Sequence, residues 1–219
     1  MTEFEFDTLK RDFDRDGFVV LPGYLTAAEV DLLRNRAIPL AQELIKTEGD
    51  TGSYRNLLKS LHRHDDWFDK QLTDGRHVPL VSHLIGGDVH GVSAAWFDRP
   101  EGEIEGIGPH VDALGRDEYP GAGATIWFAL DPVDVRNGCL HYLRGSHKSV
   151  FPDVIPIPGI ETVSEDVFAA ELSPGDAVIH SALTVHWSGG NSTEEPRRAV
   201  SYFYFNASAY AALHQRKEA

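Results

Sequence analysis

The sequence predicts a mainly β fold, a double-sheeted jelly roll with helices packed outside it. Helical patterns dominate residues 1–91, whereas from residue 92 onward apolar and polar residues alternate along short segments. Gly, Pro and Asp turns separate these predicted strands, which are 92–98, 124–130, 140–143, 177–186 and 199–206. Short strands that follow a helical stretch are typical of two packed sheets with helices against them. With 219 residues and 42% hydrophobic content, we expect one domain, with helical support in 1–91 and a β core in 92–206.

The main predicted helix follows a short apolar strand at Phe18–Leu21, which Pro22-Gly23 ends. Thr26 and Glu29 have the spacing of a capping box, in which each side chain satisfies the other residue's free backbone amide. The helix should then bury one face, made of Val30, Leu33 and Ala37. Pro39 is expected to kink this helix or to divide it into two. The residues before the strand form a mixed polar segment with no predicted element.

The stretch between this helix and the β core is predicted to hold a loop at 48–56 and short helices at 57–61 and 78–85. Residues 62–67, with the sequence His-Arg-His-Asp-Asp-Trp, offer metal-ligand residue types. In a helix, residues two apart point to different faces, so we interpret this run as a solvated face or pocket rim rather than as a ligand set. The isolated histidines are interpreted as structural or surface residues: His77, His83 and His90.

The charge balance restricts the class of partner. The chain has 34 acidic and 20 basic residues, which gives a formal net charge of −14. Such a chain repels nucleic acid and anionic membranes, so we expect a small-molecule partner, neutral or cationic in preference to a polyanion. A lone Cys139 excludes an internal disulfide and suits a reducing cytoplasm. The acidic N-terminus is unlike a signal peptide, and no apolar run reaches the length of a membrane span.

The candidate metal site begins with His110 and Asp112, which are two residues apart. In an extended strand, alternate side chains leave on the same face, so an imidazole and a carboxylate would converge on one point. A third ligand, His186, would have to come from a distant strand. Two histidines and one carboxylate leave three positions of an octahedron open, which suits non-heme Fe(II) chemistry with O2.

Several motifs in a fixed order frame this site. They are Asp16–Leu25, Asn137–Leu140, Arg144–Lys148, Trp187–Asn191, and Pro196–Ala199 before the strand-like Val200–Phe205. With these motifs the chain resembles, over nearly its whole length, the phytanoyl-CoA dioxygenase family of Fe(II)/2-oxoglutarate oxygenases. The resemblance implies a cupin-like double-stranded β-helix with the metal inside one mouth. It also implies that His110, Asp112 and His186 hold Fe(II), with 2-oxoglutarate and O2 as cosubstrates.

The resemblance further implies which residues hold 2-oxoglutarate. The family places an arginine for the distal carboxylate eleven residues after the second histidine, which is Arg197 here, while the next residue, Arg198, should point the other way along a strand. Arginine suits this role because its planar charged fork matches a carboxylate. Ser188 matches a family hydroxyl that assists the same carboxylate, and Trp127 matches an aromatic wall of the cosubstrate site. Thr125 shares the face of Trp127 and is expected to line the site.

The retained Asp112 favours hydroxylation of a C–H bond, since halogenating relatives have lost this carboxylate, but desaturation and cyclisation begin with the same hydrogen abstraction. The segment around His110 lacks the family's usual Trp-His-Gln-Asp motif, so the motif does not indicate which residues contact the substrate. Two other classes stay open: a cupin-type metal enzyme without 2-oxoglutarate, and a non-catalytic jelly-roll binding module. A buried Arg197 with Ser188 would argue against the former, and a complete triad against the latter.

The last predictions concern two loops, two turns and the side chain of Asn191. The apolar, proline-bearing loop 149–173 is interpreted as a lid or substrate wall. The alternative is a loop that packs on the outside of the barrel. The acidic loop 99–108 could meet a substrate amine through its glutamates, although a solvated loop is the simpler interpretation. Asn137-Gly138 is expected to form a hairpin turn, and Gly145–Lys148 a tight turn with a structural His147. Asn191 should tie the loop between His186 and Arg197.

Overall fold

The computed structural model describes residues 3–48, 57–112, 123–152 and 154–217. Its helices are α1 (Glu3–Asp16), α2 (Ala27–Glu48), α3 (Leu61–His64), α4 (Asp66–Asp74), α5 (Val78–Ile85) and α6 (Ala207–Lys217). Its strands are β1 (Phe18–Leu21), β2 (Leu57–Leu58), β3 (Val89–Arg99), β4 (Ile107–His110), β5 (Gly123–Ala129), β6 (Leu140–Leu143), β7 (Val167–Ala170), β8 (Ala177–Ser181), β9 (His186–Ser188) and β10 (Arg197–Asn206).

The strands form two antiparallel sheets, which confirms the predicted jelly roll. The six-stranded sheet has the order β1-β8-β5-β10-β3-β2, and the four-stranded sheet has the order β4-β9-β6-β7. The side chains between the sheets form an apolar core that includes Phe18, Trp127 and Tyr142. A smaller cluster, made of Val111, Ile157, Val185 and Trp187, lies beside the metal-ligand candidates. The two sheets therefore enclose a closed interior, beside which the predicted site lies.

The helices cover the outer face of the six-stranded sheet. The capping box at the start of α2 is confirmed, since Glu29 Oε2 accepts from Thr26 N at 2.7 Å and Thr26 Oγ1 accepts from Glu29 N at 3.3 Å. The predicted buried face of α2 is also confirmed: Val30, Leu33 and Ala37 are buried. α2 continues through Pro39 as one helix, so the alternative of two helices was wrong. Because α2 contributes Val30, Leu33, Ala37, Ala41 and Leu44 to the main apolar core, its packing outweighs the single hydrogen bond that proline removes.

Two of the sequence motifs pack against each other and fix the end of α1. Asp16 Oδ2 accepts from Arg144 Nη1 at 2.7 Å, and the Gly145 amide donates to the Asp16 carbonyl at 2.9 Å. Gly17 has a φ of +87°, and a Cβ atom there would lie 2.5 Å from both His147 Nδ1 and Thr184 Oγ1. Only glycine fits at this contact. These motifs are therefore structural, and His147, whose Nε2 lies 3.2 Å from the Asp14 carbonyl, is structural as predicted.

Several predicted elements differ from those observed. The segment 177–186 is not one strand but two, β8 and β9, which belong to different sheets. The corner between them is apolar and β-branched, so the sequence pattern does not mark it. The predicted loop 149–173 contains β7, and the polar segment before β1 is the helix α1. Residues 57 and 58 form a strand that pairs with β3, where a helix was predicted.

Asn137-Gly138 is also not a hairpin turn, because the strands that flank it, β5 and β6, lie in different sheets. The Asn137 side chain instead closes a local turn by accepting from the Asp134 amide at 2.8 Å. Residues 78–85 form a helix as predicted. Of the predicted loop 48–56, residue 48 ends α2 and residues 49–56 lie outside the described residues. Asn191 ties its loop as predicted, since its side-chain amide donates to the Arg99 and Glu195 carbonyls at 2.9 and 2.8 Å.

Candidate active site

The structure brings His110, Asp112 and His186 together. β4 and β9 are neighbouring strands of the four-stranded sheet, and their register places His110 directly opposite His186. Asp112 follows two residues after His110. One ligand atom from each of the three residues lies within 4.8 Å of the other two. Asp112 Oδ1 lies 4.0 Å from His110 Nε2 and 3.7 Å from His186 Nε2, distances that are too long for hydrogen bonds but suit atoms that face a common centre.

The hydrogen bonds of the two histidines determine which nitrogen faces that centre. Nδ1 of His110 lies 2.9 Å from the Gly108 carbonyl, and Nδ1 of His186 lies 3.0 Å from the Thr184 carbonyl. A carbonyl only accepts, so Nδ1 carries the proton on each ring and Nε2 presents its lone pair. Burial lowers the pKa of both imidazoles, which favours this neutral form. The donor set therefore fits a divalent transition metal.

The carboxylate of Asp112 is held by residues of the other sheet. Its Oδ2 accepts from Thr125 Oγ1 at 2.7 Å and from His180 Nε2 at 3.0 Å, which leaves Oδ1 to face the metal position. Nδ1 of His180 in turn lies 3.0 Å from the Tyr142 hydroxyl, so the tyrosine donates and fixes the His180 tautomer. Burial opposes the charge on Asp112, but His186 and the hydrogen bond from His180 outweigh it and hold the pKa of Asp112 well below its usual range.

Thr125 thus lines the site as predicted, although it contacts a ligand candidate through its hydroxyl. His180 and Tyr142 were missed by the sequence reasoning. The register places His180 directly opposite Thr125 on the adjacent strand. The alternation within residues 177–181, which puts a histidine on the inward face of an apolar strand, was the signal that could have revealed it.

Arg197 and Arg198 point in opposite directions, as predicted. Arg197 is 3% exposed and lines a cavity of about 190 Å³ that also contains the three metal-ligand candidates. Its Nη2 donates to the Gly138 carbonyl at 2.8 Å, and its guanidinium carbon lies 5.5 Å from the ring centroid of Trp127. Burial, and then the nearby Arg99, lower the pKa of Arg197 to about 9. Arg198 instead binds Asp131 through Nε at 2.6 Å and Nη2 at 3.0 Å.

Ser188 lines the same cavity and lies next to a residue that the sequence reasoning missed. Arg99 is buried at the end of β3, and its Nη2 donates to Ser188 Oγ at 3.3 Å. Because the predicted loop 99–108 was taken to begin with this arginine, its inward direction was not foreseen. Among the described residues, the buried guanidinium groups of Arg99 and Arg197 both line the cavity, together with the Ser188 hydroxyl.

The two predicted loops contact the site differently. In the longer loop, Ile155 lines the cavity, and the buried Ile157 donates its amide to the Pro109 carbonyl at 2.7 Å. The described part of this loop therefore packs against the segment that carries His110. The glutamates of the acidic loop 99–108 are not among the described residues that line the cavity.

The histidine-rich run 62–67 is occupied by structural contacts. His62 Nδ1 accepts from the Ala94 amide at 3.2 Å. Asp65 caps α4 by accepting from the Trp67 amide at 2.8 Å, and its Oδ2 lies 3.2 Å from Arg36 Nη1. His77 is buried, and its Nε2 lies 2.7 Å from the Tyr204 hydroxyl. These contacts agree with the interpretation that the run is not a ligand set and that His77 is structural.

The relatives of this chain and the solved structures similar to it are Fe(II)/2-oxoglutarate-dependent dioxygenases, enzymes that use iron, 2-oxoglutarate and O2, and the double-stranded β-helix with its His-Asp-His cluster fits that class. More particularly, the chain belongs to the phytanoyl-CoA dioxygenase (PhyH) family, whose sequence model matches residues 13–199. The predicted family, enzyme class and cofactor set are thereby confirmed.

Relatives and solved structures of this kind align along nearly the whole chain. The ectoine dioxygenase of Stutzerimonas stutzeri is 23% identical over 88% of this chain and 74% of its own length. The human peroxisomal phytanoyl-CoA dioxygenase is 22% identical over 92% of this chain and 68% of its own length. The structure of the epimerase SnoN with Fe3+, alpha ketoglutarate and nogalamycin RO superposes with a TM-score of 0.76, at 27% identity over 94% of this chain and 85% of that chain. None of the described helices is long and apolar enough to cross a membrane.

Proposed function

We propose that this enzyme oxidises an unactivated C–H bond of a small-molecule metabolite, by hydroxylation, and couples that oxidation to the decarboxylation of 2-oxoglutarate to succinate. The observation that carries the proposal is the arrangement of one cavity. Two imidazole Nε2 atoms and one carboxylate oxygen face a common centre in it, and the buried guanidinium of Arg197 lines the same space.

In this proposal His110, Asp112 and His186 hold Fe(II). Bound iron supplies the activation of O2 that the class couples to 2-oxo acid decarboxylation. The Nδ1 contacts of both histidines with backbone carbonyls keep the rings oriented before the metal binds. Thr125 and His180 occupy Asp112 Oδ2, so the carboxylate would offer one oxygen to the ion, and a six-coordinate ion would keep three positions for 2-oxoglutarate and O2.

Arg197 is the proposed partner of the distal carboxylate of 2-oxoglutarate. Its charge is buried, and its hydrogen bonds to the described part of the chain go to neutral carbonyls, those of Asn137 at 3.5 Å and Gly138 at 2.8 Å. A bound carboxylate would supply the opposite charge that this guanidinium needs in a low dielectric. Ser188 adds a hydroxyl at the same place, and Trp127 closes one wall beneath the guanidinium. A cupin-type enzyme without 2-oxoglutarate has no need of a buried arginine here, which argues against that alternative.

The loop 149–173 is proposed to act as a wall of the substrate space that excludes water. Ile157 anchors it in the apolar cluster beside His110, whereas Ile155 is 39% exposed and also lines the cavity. An anchored loop with an apolar side chain at the cavity fits a cover that limits access of water to the reacting groups.

The retained Asp112 supports hydroxylation, because its carboxylate would take the coordination position that a halide needs. SnoN is an epimerase, so reactions other than hydroxylation occur among the enzymes whose structures are similar to this one. The acidic net charge of −14 supports a neutral or cationic substrate of moderate size. We further propose that the chain acts as one domain in a reducing cytoplasm, which the single buried Cys139 supports.

The test is an anaerobic titration of the Fe(II)-loaded protein with 2-oxoglutarate, followed by the weak visible metal-to-ligand absorption band. The wild type should show a saturable band, and the His186→Ala variant should show none. Addition of O2 and candidate metabolites should then give succinate and a product heavier by one oxygen atom in equal amounts. Absence of the band in the iron-loaded wild type would refute the 2-oxoglutarate requirement, and a product without added oxygen would replace hydroxylation by another oxidation.

A further inference from the structure

We propose that Arg99 is a second guanidinium that binds the distal carboxylate of 2-oxoglutarate, acting beside Arg197 in the same cavity. This inference rests on the proposed function, because it concerns the same cosubstrate. It assigns a direct binding role to a residue that is not a metal-ligand candidate and that acts in addition to Arg197 and Ser188.

The first argument is the strand register. β3 and β10 are antiparallel neighbours, and Arg99 is the residue directly opposite Arg197. Side chains of directly opposed residues leave the sheet on the same face, so both guanidinium groups enter the space between the two sheets. Arg99 extends far enough to reach the other sheet, where its Nη2 donates to Ser188 Oγ at 3.3 Å. The two arginines and Ser188 therefore converge from three strands of two sheets.

The second argument is electrostatic. Arg99 is 8% exposed and Arg197 is 3% exposed, so water screens neither charge well. After burial itself, the nearness of Arg99 is the largest influence on the pKa of Arg197, which it lowers, and each opposing influence, from Cys139, Asp98 and Asp131, is smaller. Two like charges are thus held close together in a buried site. An anion bound between them would relieve both the repulsion and the desolvation.

The third argument is the hydrogen-bonding capacity of the ligand. A carboxylate has two oxygens with about four acceptor positions, more than one guanidinium fork fills. Arg197, together with Arg99 and Ser188 of the same cavity, would fill these positions. The pair should therefore select 2-oxo acids with a carboxylate at the far end over those with a methyl group there.

The experiment compares Arg99→Gln and Arg99→Lys with the wild type, and uses Arg136→Gln as a matched control in which an exposed arginine loses its charge. Binding is measured by calorimetry on the Mn(II)-loaded protein with two probes, 2-oxoglutarate and 2-oxopentanoate, which lacks the distal carboxylate. For Arg99→Gln we expect the Kd of 2-oxoglutarate to rise by about 10- to 100-fold, the usual loss for a charge-assisted hydrogen bond. The Kd of 2-oxopentanoate should stay within about threefold, and Arg99→Lys should recover part of the loss.

The possible outcomes are distinct. An unchanged Kd for 2-oxoglutarate in Arg99→Gln overturns the inference. This holds also if the KM of the metabolite that the enzyme oxidises rises instead, since Arg99 would then bind that metabolite. An equal loss for both 2-oxo acids also overturns it, because the role would be structural; the melting temperatures of both variants check this. If the wild type itself binds no 2-oxoglutarate, it is the proposed function that fails.

Discussion

Replacing Arg197 with methionine should stabilise the metal-free protein while it abolishes tight binding of 2-oxoglutarate. The pKa of Arg197 falls from 12.5 to about 9 in the folded state, so the folded protein disfavours the charge by about 5 kcal/mol at neutral pH. The variant also leaves the Gly138 carbonyl without its donor, which costs about 1–3 kcal/mol. The net expectation is a gain of about 2–4 kcal/mol in the free energy of unfolding.

The matched variant is Arg198→Met, for which both effects should be reversed. Arg198 binds the buried Asp131 with two hydrogen bonds, so its loss should destabilise the protein by about 1–3 kcal/mol. Asp131 keeps Arg34 at 3.1 Å, which limits the damage. Binding of 2-oxoglutarate should stay close to that of the wild type, whereas Arg197→Met should weaken it by about two to three orders of magnitude.

The assay is urea unfolding of the metal-free proteins at pH 7.5 and at pH 10, with a 2-oxoglutarate titration of the Mn(II)-loaded forms. The folded-state pKa of Arg197 lies below its unfolded value, so the unfolded chain holds more protons above pH 9 and the wild type regains stability there. The advantage of Arg197→Met should therefore shrink at pH 10. A variant that is less stable than wild type at pH 7.5, or a difference that does not change with pH, would refute the account of a strained buried charge.

Three further predictions concern the metal site, a buried histidine and the loop. Alanine at any of the three metal-ligand candidates should abolish Fe(II) binding in an anaerobic metal-content assay. Asp112→Glu should also impair binding, because the longer side chain displaces the ion. If all three alanine variants still decarboxylate 2-oxoglutarate, the assignment of the ligands is wrong. Burial lowers the pKa of His77 to about 3, so the neutral ring stabilises the fold above about pH 6.5, and stability should fall by up to about 5 kcal/mol between pH 6.5 and 3. Unfolding of His77→Gln should show a flatter pH dependence, and an equally steep one would contradict this. Ile157→Ala should cost about 2–4 kcal/mol in unfolding free energy because it leaves a cavity at a buried site. Ile155→Ala should leave stability unchanged and raise the ratio of succinate to oxidised product. If Ile155→Ala still forms succinate and product in equal amounts, the proposed role of the loop is excluded.

The parts of the site that the sequence predicted are those that depend on local periodicity. A strand period of two places His110 and Asp112 on one face, and it separates Arg197 from Arg198. The capping box of α2 follows from the spacing of Thr26 and Glu29 in the same way. The family resemblance supplied what periodicity lacks, which is that His186 joins the other two ligands from a distant strand.

The parts that the sequence did not reveal depend on how strands are paired. Arg99 matters because the register sets it opposite Arg197, and His180 matters because it lies opposite Thr125. Neither pairing can be read from one segment alone. The corner between β8 and β9 was missed for a related reason: residues of both strands are buried, and an apolar pattern does not show where the chain leaves one sheet for the other.

Because the chain passes from one sheet to the other at that corner, residues of both sheets meet at the metal site. His110 and His186 belong to the four-stranded sheet, whereas the two groups that hold Asp112 Oδ2, Thr125 and His180, belong to the six-stranded sheet. A metal ion bound by all three ligands would therefore be coupled to the six-stranded sheet through the hydrogen bonds that Asp112 Oδ2 accepts. The free energy of metal binding would then also resist separation of the sheets, because any ligand that binds only the folded state stabilises it. Bound iron would thus stabilise the fold of the barrel as well as serve as its reactive centre.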